Sequence, residues 1–207
     1  MYFTHKDWFL YWNISQSLRG CRSVLDLGCG ECSPLWYVKK DFISVGVDGF
    51  RPSILKSKAL GVHDRYIHSD LLFVGKKIRP KSFDAVILLD VVEHFPKDEG
   101  LTLLKMAEKI AKKKVIVLTP NGFYKQDKIG GNPYQVHKSG WSLRDFTSRG
   151  YDVRGLRGWK FIRGEYATIF RKPWLFWAIL AFISEPLLYY LPSASYHYFG
   201  VKRLSDE

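Results

Sequence analysis

Cysteine is scarce in this chain of 207 residues, which contains only Cys21, Cys29 and Cys32. An odd and small number of cysteines argues against a disulfide framework. Cys29 and Cys32 form a CxxC pair, but no second pair and no clustered histidines follow at the spacing of a zinc site. We therefore expect reduced thiols in a reducing, cytoplasmic compartment, and we predict no metal-binding residues.

Long apolar runs are also missing. His5, Lys6 and Asp7 stand among the first aromatic residues, so we expect no signal peptide. The apolar run at residues 174–183 is about half the roughly 20 residues that a membrane-spanning helix needs, and Glu185 interrupts its continuation. The pattern favours a segment that lies on a surface over one that crosses a bilayer.

Acidic residues are outnumbered by basic ones, 20 against 32, which gives a formal charge of +12. An excess of positive charge favours an anionic partner, such as nucleic acid, an anionic membrane surface or an acidic substrate. Because the basic residues are dispersed and no RNA-binding module is recognisable, nucleic acid is the weaker of these alternatives. The length and the hydrophobic content of 46% predict a globular chain with a substantial core.

A short apolar run followed by a glycine turn, VLDLGCGECSP at residues 24–34, organises the rest of the pattern. The run is typical of a buried parallel strand, and Ser33 with Pro34 indicates the start of a helix. Strand, glycine turn and helix together let a backbone approach a nucleotide-like ligand closely. Asp48 ends a second apolar run roughly twenty residues beyond the turn, where Rossmann-type folds place a carboxylate on ribose hydroxyls.

Strands and helices alternate along the chain up to residue 120, which indicates an α/β doubly wound sheet. The predicted strands cover 23–27, 43–48, 65–68, 83–89 and 115–118, and the predicted helices cover 4–18, 34–40, 52–60 and 98–111. A long irregular segment at 123–140 then favours a functional loop. A helix at 142–148 and two closing strands at 151–156 and 166–170 complete the predicted fold.

Acidic residues recur at the ends of the predicted strands, and their order is specific. DLGCG at 26–30, Asp48, Asp70 and DVVEH at 90–94 together resemble the class I S-adenosylmethionine-dependent methyltransferases over roughly residues 20–170. The resemblance implies a Rossmann-like sheet of seven strands with the last strand antiparallel, and S-adenosyl-L-methionine as the cofactor. An NAD-dependent dehydrogenase is the competing interpretation of the turn, but Ser33 replaces the third glycine of GxGxxG and the later acids would be unexplained.

The resemblance also implies roles for single residues. The glycine turn would lie against the methionine part of the cofactor, with Asp26 near its amino group. Asp48 would hold the ribose, Asp70 with its neighbour the adenine, and Asp90 the methionine side, while His94 would hold the turn after the fourth strand. The predicted cofactor-binding residues are Asp26, Gly28, Cys29, Gly30, Asp48, Gly49, Asp70, Leu71, Asp90 and Val91.

Methyl transfer from a sulfonium depends mainly on in-line placement of the nucleophile, and an oxygen nucleophile additionally benefits from a base. His137 is the predicted base because it lies in the 123–140 segment, and Tyr134 is predicted to orient the substrate. The alternative is that His137 only hydrogen-bonds backbone. No Asn-Pro-Pro-Tyr-type motif follows the fourth strand, which disfavours methylation of an exocyclic base nitrogen or a glutamine amide.

We divide the chain into a methyltransferase domain with an N-terminal helix, residues 1–172, and a helical, aromatic-rich C-terminal extension, residues 173–207. Through 173–201 the extension meets a membrane surface peripherally, forms a homodimer or covers the substrate pocket, and these alternatives stay open. The expected function is methyl transfer to a small or lipid-like acceptor at oxygen. The alternative is an RNA methyltransferase or a nucleic-acid-binding protein on the same fold.

Overall fold

Seven strands form one sheet in this computed structural model, which describes residues 7–38, 41–128, 130–164 and 168–205. The strands are β1 Ser23–Leu27, β2 Ile43–Asp48, β3 Arg65–His68, β4 Phe83–Leu89, β5 Ala111–Pro120, β6 Asp152–Trp159 and β7 Ser195–Arg203. Their order in space is β3-β2-β1-β4-β5-β7-β6. The first five strands run parallel and β7 is antiparallel to both of its neighbours, which confirms the predicted fold class.

Two apolar clusters cover the two faces of this sheet. The helices are α1 Trp8–Ser17, α2 Arg51–Ala59, α3 Lys97–Ile110, α4 Leu143–Thr147 and α5 Trp174–Tyr190. Along β4, Val86 and Leu88 pack with α3 on one face, whereas Ala85 and Ile87 pack with α1 on the other. Because β4 buries side chains on both faces of the sheet, its sequence is one continuous apolar run. Such a run is typical of a fully buried parallel strand.

The helix predicted at 34–40 is only a 3-10 turn, Pro34–Tyr37. Ser33 does cap it, because its Oγ accepts a hydrogen bond from the Leu35 N–H at 3.3 Å. Val38 then adopts extended backbone, and residues 39–40 lie outside the described part of the chain. The start predicted from Ser33 and Pro34 is therefore confirmed, and the predicted length of the helix is wrong. The predicted helix at 4–18 corresponds to α1, and its first residues also lie outside the described range.

The closing strand predicted at 166–170 is wrong. Residues 165–167 lie outside the described part of the chain, and Ile169 makes only an isolated bridge with Arg163. The seventh strand is instead β7, which inserts between β5 and β6 and is buried from Ser195 to Gly200. The boundary that we predicted at residue 172 therefore falls inside the fold, because the second segment supplies an interior strand.

Helix α5 lies directly on β6. A Cβ on Gly155 would overlap the Leu188 main-chain oxygen, so the absence of a side chain in the strand lets the helix approach. Glu185 Oε1 accepts a hydrogen bond from the Arg157 N–H at 2.9 Å and fixes the same contact. Among the described residues, no helix has both the length and the hydrophobicity to cross a bilayer.

Candidate active site

Gly28 and Gly30 turn the chain at the carboxyl end of β1, with φ of +78° and +59°. The N–H groups of Gly28 and Cys29 both donate to the Val47 carbonyl, at 2.8 and 3.0 Å, which ties the turn to β2. A Cβ on Gly28 would lie 2.6 Å from Val91 Cγ2, whereas a Cβ on Gly30 would meet no atom within 4 Å. The turn therefore packs on Val91 and borders open space beside Gly30, which forms a cradle for a ligand.

Asp48 lies at the end of β2 with its carboxylate turned toward this cradle. Its Oδ2 accepts from the Gly30 N–H at 2.9 Å, and its Oδ1 accepts from the Phe50 N–H at 2.7 Å. Burial raises the pKa of Asp48 above its ordinary value, although the two N–H donors oppose the shift. An ionised carboxylate has about four acceptor sites, so lone pairs remain for two hydroxyl donors.

Asp26 lies beneath the turn and is only 1% exposed. Its Oδ2 is 3.3 Å from Nε2 of His63, which is also buried. A Cβ on Gly46 would lie 2.6 Å from His63 Cδ2, so a glycine in β2 makes room for the ring. His63 was missed in the sequence because a histidine before β3 carries no motif.

Asp70 and Leu71 follow β3 and face different surroundings. Asp70 is exposed, and its Oδ1 accepts from the Leu72 N–H at 2.9 Å at the start of a 3-10 turn. The Leu71 side chain belongs to the core. Of the predicted adenine-binding pair, only Asp70 presents its side chain to the solvent at this edge.

Asp90 ends β4 in the left-handed region, with φ of +55°. Its Oδ1 is 3.1 Å from His197 Nε2, and its Oδ2 is 3.4 Å from Arg157 Nη1. Burial alone would raise the pKa of Asp90, but the charges of His197 and Arg157 outweigh it and bring the pKa to about 2. Burial, and then the Arg157 charge, lower the pKa of His197 to about 4. At neutral pH the cluster holds a carboxylate, a guanidinium and a neutral imidazole.

The sequence predicts Asp90 as a site residue but does not predict its two partners, Arg157 and His197. Arg157 and His197 lie 67 and 107 residues further along the chain, in β6 and β7. No local signal marks them, because β6 also contains Asp152 and Arg154, and β7 also contains Lys202 and Arg203. Arg157 Nη2 also lies 3.5 Å from Asp7 Oδ2, which brings the start of α1 to the same cluster.

Glu93 and His94 follow Asp90 in a 3-10 turn and meet the 123–140 segment. Glu93 is 2% exposed, and its Oε2 accepts from the Thr119 hydroxyl at 2.9 Å. Its Oε1 is buried without a hydrogen-bond partner among the described residues. Burial and the negative charge of Asp90 raise the pKa of Glu93 well above its ordinary value. The Glu93 main-chain carbonyl accepts from the N–H groups of Lys138 and Ser139, at 2.8 and 3.1 Å.

His137 lies against His94, with ring centroids 4.8 Å apart. His94 Nδ1 is 3.3 Å from the Val136 carbonyl, and His137 Nδ1 is 2.6 Å from the Tyr124 carbonyl. Burial and the neighbouring His137 lower the pKa of His94 to about 4, against the opposing effect of its main-chain hydrogen bonds. Burial also lowers the pKa of His137. Both imidazoles are therefore neutral at pH 7.

The 123–140 segment reaches over the carboxyl edge of the sheet, as predicted for a functional loop. Tyr134 lies over Gly49, where an added Cβ would be 3.2 Å from the ring carbon Cζ. His137 lies at the other end of the segment against His94. The structure thus separates the two predicted catalytic residues: Tyr134 lies over Gly49, next to Asp48, and His137 lies against His94.

Two clefts open at opposite edges of the sheet. One of about 630 Å³ adjoins the loop at the carboxyl end of β5, and its lining includes Phe123, Tyr124, Trp159 and Phe161. The other, of about 650 Å³, is lined by residues such as Cys21, Asp84 and Lys113 at the amino end of the sheet. Because the acids and the glycine turn all lie at the carboxyl edge, the first cleft is the one beside the site.

Comparison with known proteins agrees with this geometry. Residues 25–123 match the family model described as a methyltransferase domain. No curated protein sequence matches the chain. Among solved structures, the chain is similar to a SAM-dependent methyltransferase from Archaeoglobus fulgidus, with 18% identity and a TM-score of 0.62 over 96% of this chain and 95% of that one. The chain therefore carries a methyltransferase domain at residues 25–123, on a fold that it shares with SAM-dependent methyltransferases.

Two further solved structures show how widely this methyltransferase fold is used. Magnesium protoporphyrin IX methyltransferase from Synechocystis PCC 6803, which has SAM bound, is 16% identical with a TM-score of 0.51 over 96% of this chain and 77% of that one. Small RNA methyltransferase HEN1 is 15% identical with a TM-score of 0.60, over 98% of this chain and 25% of that one. At 15 and 16% identity, the similarity between this chain and these two structures is a similarity of fold alone.

The residues at the carboxyl edge of this methyltransferase fit S-adenosylmethionine. The open space beside Gly30 leaves room for the ligand next to the turn, and Asp48 retains lone pairs for the two ribose hydroxyls. Asp90, ionised at neutral pH, lies at the end of β4, and its contact with the methionine part of the cofactor stays a prediction. The cofactor supplies an electrophilic methyl group, and these residues would bind and orient it next to the acceptor.

Proposed function

We propose that this methyltransferase methylates a hydroxyl oxygen of a lipophilic acceptor that it meets at a membrane surface. The observation that carries the proposal is an exposed apolar helix that begins next to an aromatic cleft. The cleft beside the site has four aromatic residues in its lining. The Arg171 guanidinium lies 4.2 Å from the centroid of the Phe161 ring in that cleft, three residues before α5 begins. An acceptor bound against the start of α5 would therefore lie close to the aromatic cleft.

Helix α5 exposes eight large apolar or aromatic side chains on its outward side. Its outward residues, here called the α5 face, are each 50 to 73% exposed: Trp174, Leu175, Phe176, Ile179, Phe182, Ile183, Leu187 and Tyr190. Monomers rarely expose contiguous apolar patches larger than about a few hundred Å². A patch of this kind marks a surface for lipid or for another protein.

The distribution of residue types along α5 favours lipid. Tryptophans lie in the first turn and tyrosines in the last, with aliphatic and phenylalanine side chains between them. Tryptophan and tyrosine concentrate at the level of lipid headgroups, and aliphatic side chains enter the acyl region. Arg171 and Lys172 precede the helix and are placed to meet anionic headgroups.

A homodimer through the α5 face is the competing arrangement. A two-fold interface would place the same patch of both copies face to face. It would bring together two chains that each carry a formal charge of +12 and therefore repel one another. An anionic bilayer removes the repulsion, which is why we prefer it.

An oxygen acceptor agrees with the titratable groups that lie beside Asp90. Neutral imidazoles and a buried carboxyl lie next to Asp90, and a hydroxyl nucleophile needs such groups to lose its proton. Only Nε2 of His137 would serve as a base, because its Nδ1 is held by the Tyr124 carbonyl. The base role of His137 stays a prediction.

RNA is the second candidate acceptor, and one neighbour of this fold is a small RNA methyltransferase. Single-stranded RNA binds to aromatic platforms beside a positively charged groove. The α5 face has aromatic residues, but its central residues are aliphatic and phenylalanine side chains without basic neighbours between them. The apolar character of the α5 face favours the lipophilic acceptor.

Sedimentation with vesicles and transfer of a labelled methyl group test the proposal together. We expect the protein to bind phosphatidylglycerol vesicles more tightly than phosphatidylcholine vesicles, and the label from S-adenosylmethionine to enter an organic extract rather than RNA. A Phe182→Ser, Ile183→Ser double variant should bind vesicles about tenfold or more weakly, because burial of each side chain is worth about 1.5–3 kcal/mol. Leu55→Ser on α2, also an exposed apolar position, is the matched control.

Unchanged vesicle binding by the double variant would contradict the membrane role of α5. A dimer in the parent protein that becomes a monomer in the double variant would assign the face to a second copy. Entry of the labelled methyl group into RNA would identify RNA, and not a lipophilic molecule, as the acceptor.

A further inference from the structure

A histidine–histidine–carboxylate cluster lies on the acceptor side of the cofactor site, outside the predicted cofactor-binding residues. One ligand atom from each of Glu93, His94 and His137 lies within 4.8 Å of the other two. We propose that these three side chains bind a divalent first-row transition-metal cation. The inference concerns this chain's own side chains and would hold for any acceptor.

The spacing of the three donors is close to what a cation needs. Zinc binds imidazole nitrogen and carboxylate oxygen at about 2.0–2.2 Å, which places tetrahedral ligand atoms roughly 3.5 Å apart. The cluster must therefore contract by about 1 Å from its widest separation. His137 lies on a loop, and the N–H groups of Lys138 and Ser139 hold that loop to the Glu93 carbonyl, so the contraction needs only a local adjustment.

The two imidazoles are arranged as metal ligands usually are. A ligating histidine generally donates its second ring N–H to a carbonyl or a carboxylate, which fixes the tautomer. Here Nδ1 of His94 faces the Val136 carbonyl and Nδ1 of His137 faces the Tyr124 carbonyl. With the protons on Nδ1, both Nε2 atoms carry a lone pair. At His94 the cation competes with the Asp90 main chain, whose hydrogen bond acts on the same ring.

The buried carboxyl of Glu93 is the independent observation. One oxygen is held by Thr119, whereas Oε1 is buried without a hydrogen-bond partner among the residues that the structure describes. A buried carboxyl group with an unpaired oxygen is unfavourable unless a cation or a donor meets it. A cation beside His94 and His137 supplies that partner, and Thr119 then orients the ligand from behind.

The donor set selects the class of cation. Two imidazole nitrogens and one carboxylate oxygen suit Zn²⁺, Mn²⁺, Fe²⁺ or Co²⁺ rather than Ca²⁺ or Mg²⁺, which prefer oxygen ligands. Three protein ligands leave at least one position open, which is typical of catalytic rather than structural sites. The sequence predicted no metal here because His137 lies 43 residues beyond His94 and no short motif joins them.

The consequence for catalysis rests on the proposed function. An acceptor hydroxyl at the open position has a lowered pKa and loses its proton to water. Its oxygen then attacks the methyl carbon, so that the C–O bond forms as the C–S bond breaks and the electron pair goes to sulfur. The products are the methyl ether and neutral S-adenosylhomocysteine. In this arrangement His137 acts as a ligand rather than as a free base.

Titration calorimetry on untagged, EDTA-treated and dialysed protein tests the site with Zn²⁺ and Mn²⁺ alone, without cofactor or acceptor. We expect one cation per chain. His137→Ala and Glu93→Gln should each weaken binding by about tenfold or more, since even loss of an outer partner costs about 10–100-fold. Lys138→Ala, exposed on the same loop, is the matched control and should bind like the parent protein. Bound Co²⁺ should give a visible absorption band that His137→Ala removes.

Several outcomes would overturn the site: no cation bound, unchanged affinity in folded His137→Ala, or loss of binding in Cys32→Ser, which would move the cation to the CxxC pair. Thermal unfolding of each variant checks that it folds. Methyl transfer that continues at full rate in EDTA would overturn the catalytic consequence and leave the proposed function intact. If the protein binds the cation but methylates no lipid, the metal site stands and the proposed acceptor is wrong.

Discussion

Asp48 is the residue whose side chain has the most direct predicted contact with the cofactor. Its carboxylate already accepts two backbone hydrogen bonds, from Gly30 and Phe50, which hold it in one orientation. That preorganisation means that the ribose hydroxyls meet a fixed acceptor. Replacement of the charge should therefore affect binding more than it affects folding.

We predict that Asp48→Asn weakens S-adenosylmethionine binding by about 10- to 100-fold, because hydrogen bonds to a charged group contribute about 1.5–3 kcal/mol. Calorimetry measures the affinity, and thermal unfolding checks that the variant is folded. Asp98→Asn, an exposed acid in the first turn of α3, serves as the control and should bind like the parent protein. Equal affinities for all three proteins would remove Asp48 from the cofactor site.

His197 predicts how stability depends on pH. Burial and the Arg157 charge hold its pKa at about 4 in the folded chain, against 6.5 ordinarily, with Asp90 and Arg163 also acting on the ring. Between pH 4 and pH 6.5 the unfolded chain binds more protons than the folded chain does. The contribution of His197 to the free energy of unfolding is therefore fully present above pH 6.5 and is lost as the pH falls toward 4. The contribution amounts to about 3 kcal/mol.

Urea unfolding of the parent protein and of His197→Gln at several values between pH 7 and pH 4.5 measures this contribution. We expect the difference between the two proteins to shrink as the pH falls, because the variant has no imidazole to protonate. His94 titrates in the same direction and Glu93 in the opposite one, but both are common to the two proteins. A difference that stays constant with pH would refute the assignment to His197.

The site residues that directly follow a predicted strand could be predicted from the sequence. The site residues that reach the edge only through the pairing of distant strands could not. Asp48, Asp70 and Asp90 each follow a strand that the apolar pattern predicts, so their place at the carboxyl edge could be inferred. Arg157 and His197 reach the same edge only because β6 and β7 pair with each other and β7 pairs with β5. No local pattern contains that pairing.

At the scale of elements, the contact of α5 with β6 connects the exposed apolar helix to the cofactor edge. Glu185 on α5 accepts from the Arg157 N–H, and the Arg157 guanidinium reaches Asp90. A shift of the helix therefore moves a group that touches the predicted methionine side. The close approach depends on Gly155, where a side chain would overlap the Leu188 main chain.

We predict that Gly155→Ala destabilises the protein by about 1–3 kcal/mol, since overpacking forces backbone shifts of this cost, and that it also weakens S-adenosylmethionine binding through Arg157. Gly200→Ala in β7 is the matched control, because its Cβ would make only ordinary contact with Tyr151 at 3.4 Å. Urea unfolding and calorimetry measure the two effects. A Gly155→Ala variant as stable as the control would show that α5 does not pack closely on the strand.

The loop at 123–140 was predicted as an element but not in its contacts. Its length and the absence of a periodic pattern indicated a functional loop, and it does cover the carboxyl edge. That Tyr134 reaches Gly49 while His137 reaches His94 depends on where the glycines at 130–131 and Pro133 turn the chain, which the sequence does not specify. The loop therefore divides its side chains between the cofactor and acceptor sides.

At the scale of the whole molecule, the position of β7 decides how the chain is divided. The pattern predicts the last strand at 166–170 and places residues 195–203 in the C-terminal extension, whereas the last strand of the structure is β7. The chain takes the distant one because β7 is buried almost throughout between β5 and β6. Pairing over such a separation depends on the rest of the sheet, which periodicity cannot detect.

We predict that a chain ended after residue 172 does not fold cooperatively. Such a chain loses β7, so that β5 and β6 each lose an antiparallel partner along most of their length. The two core clusters also lose Tyr198 and Phe199, which exposes the apolar side chains packed against them. Circular dichroism during urea unfolding should show no cooperative transition for it. A chain ended after Leu204, which keeps β7 complete, should unfold like the parent protein. A cooperative transition in the shorter chain would mean that residues 1–172 form a domain of their own, and that the distant strand is an addition to a sheet that is already stable.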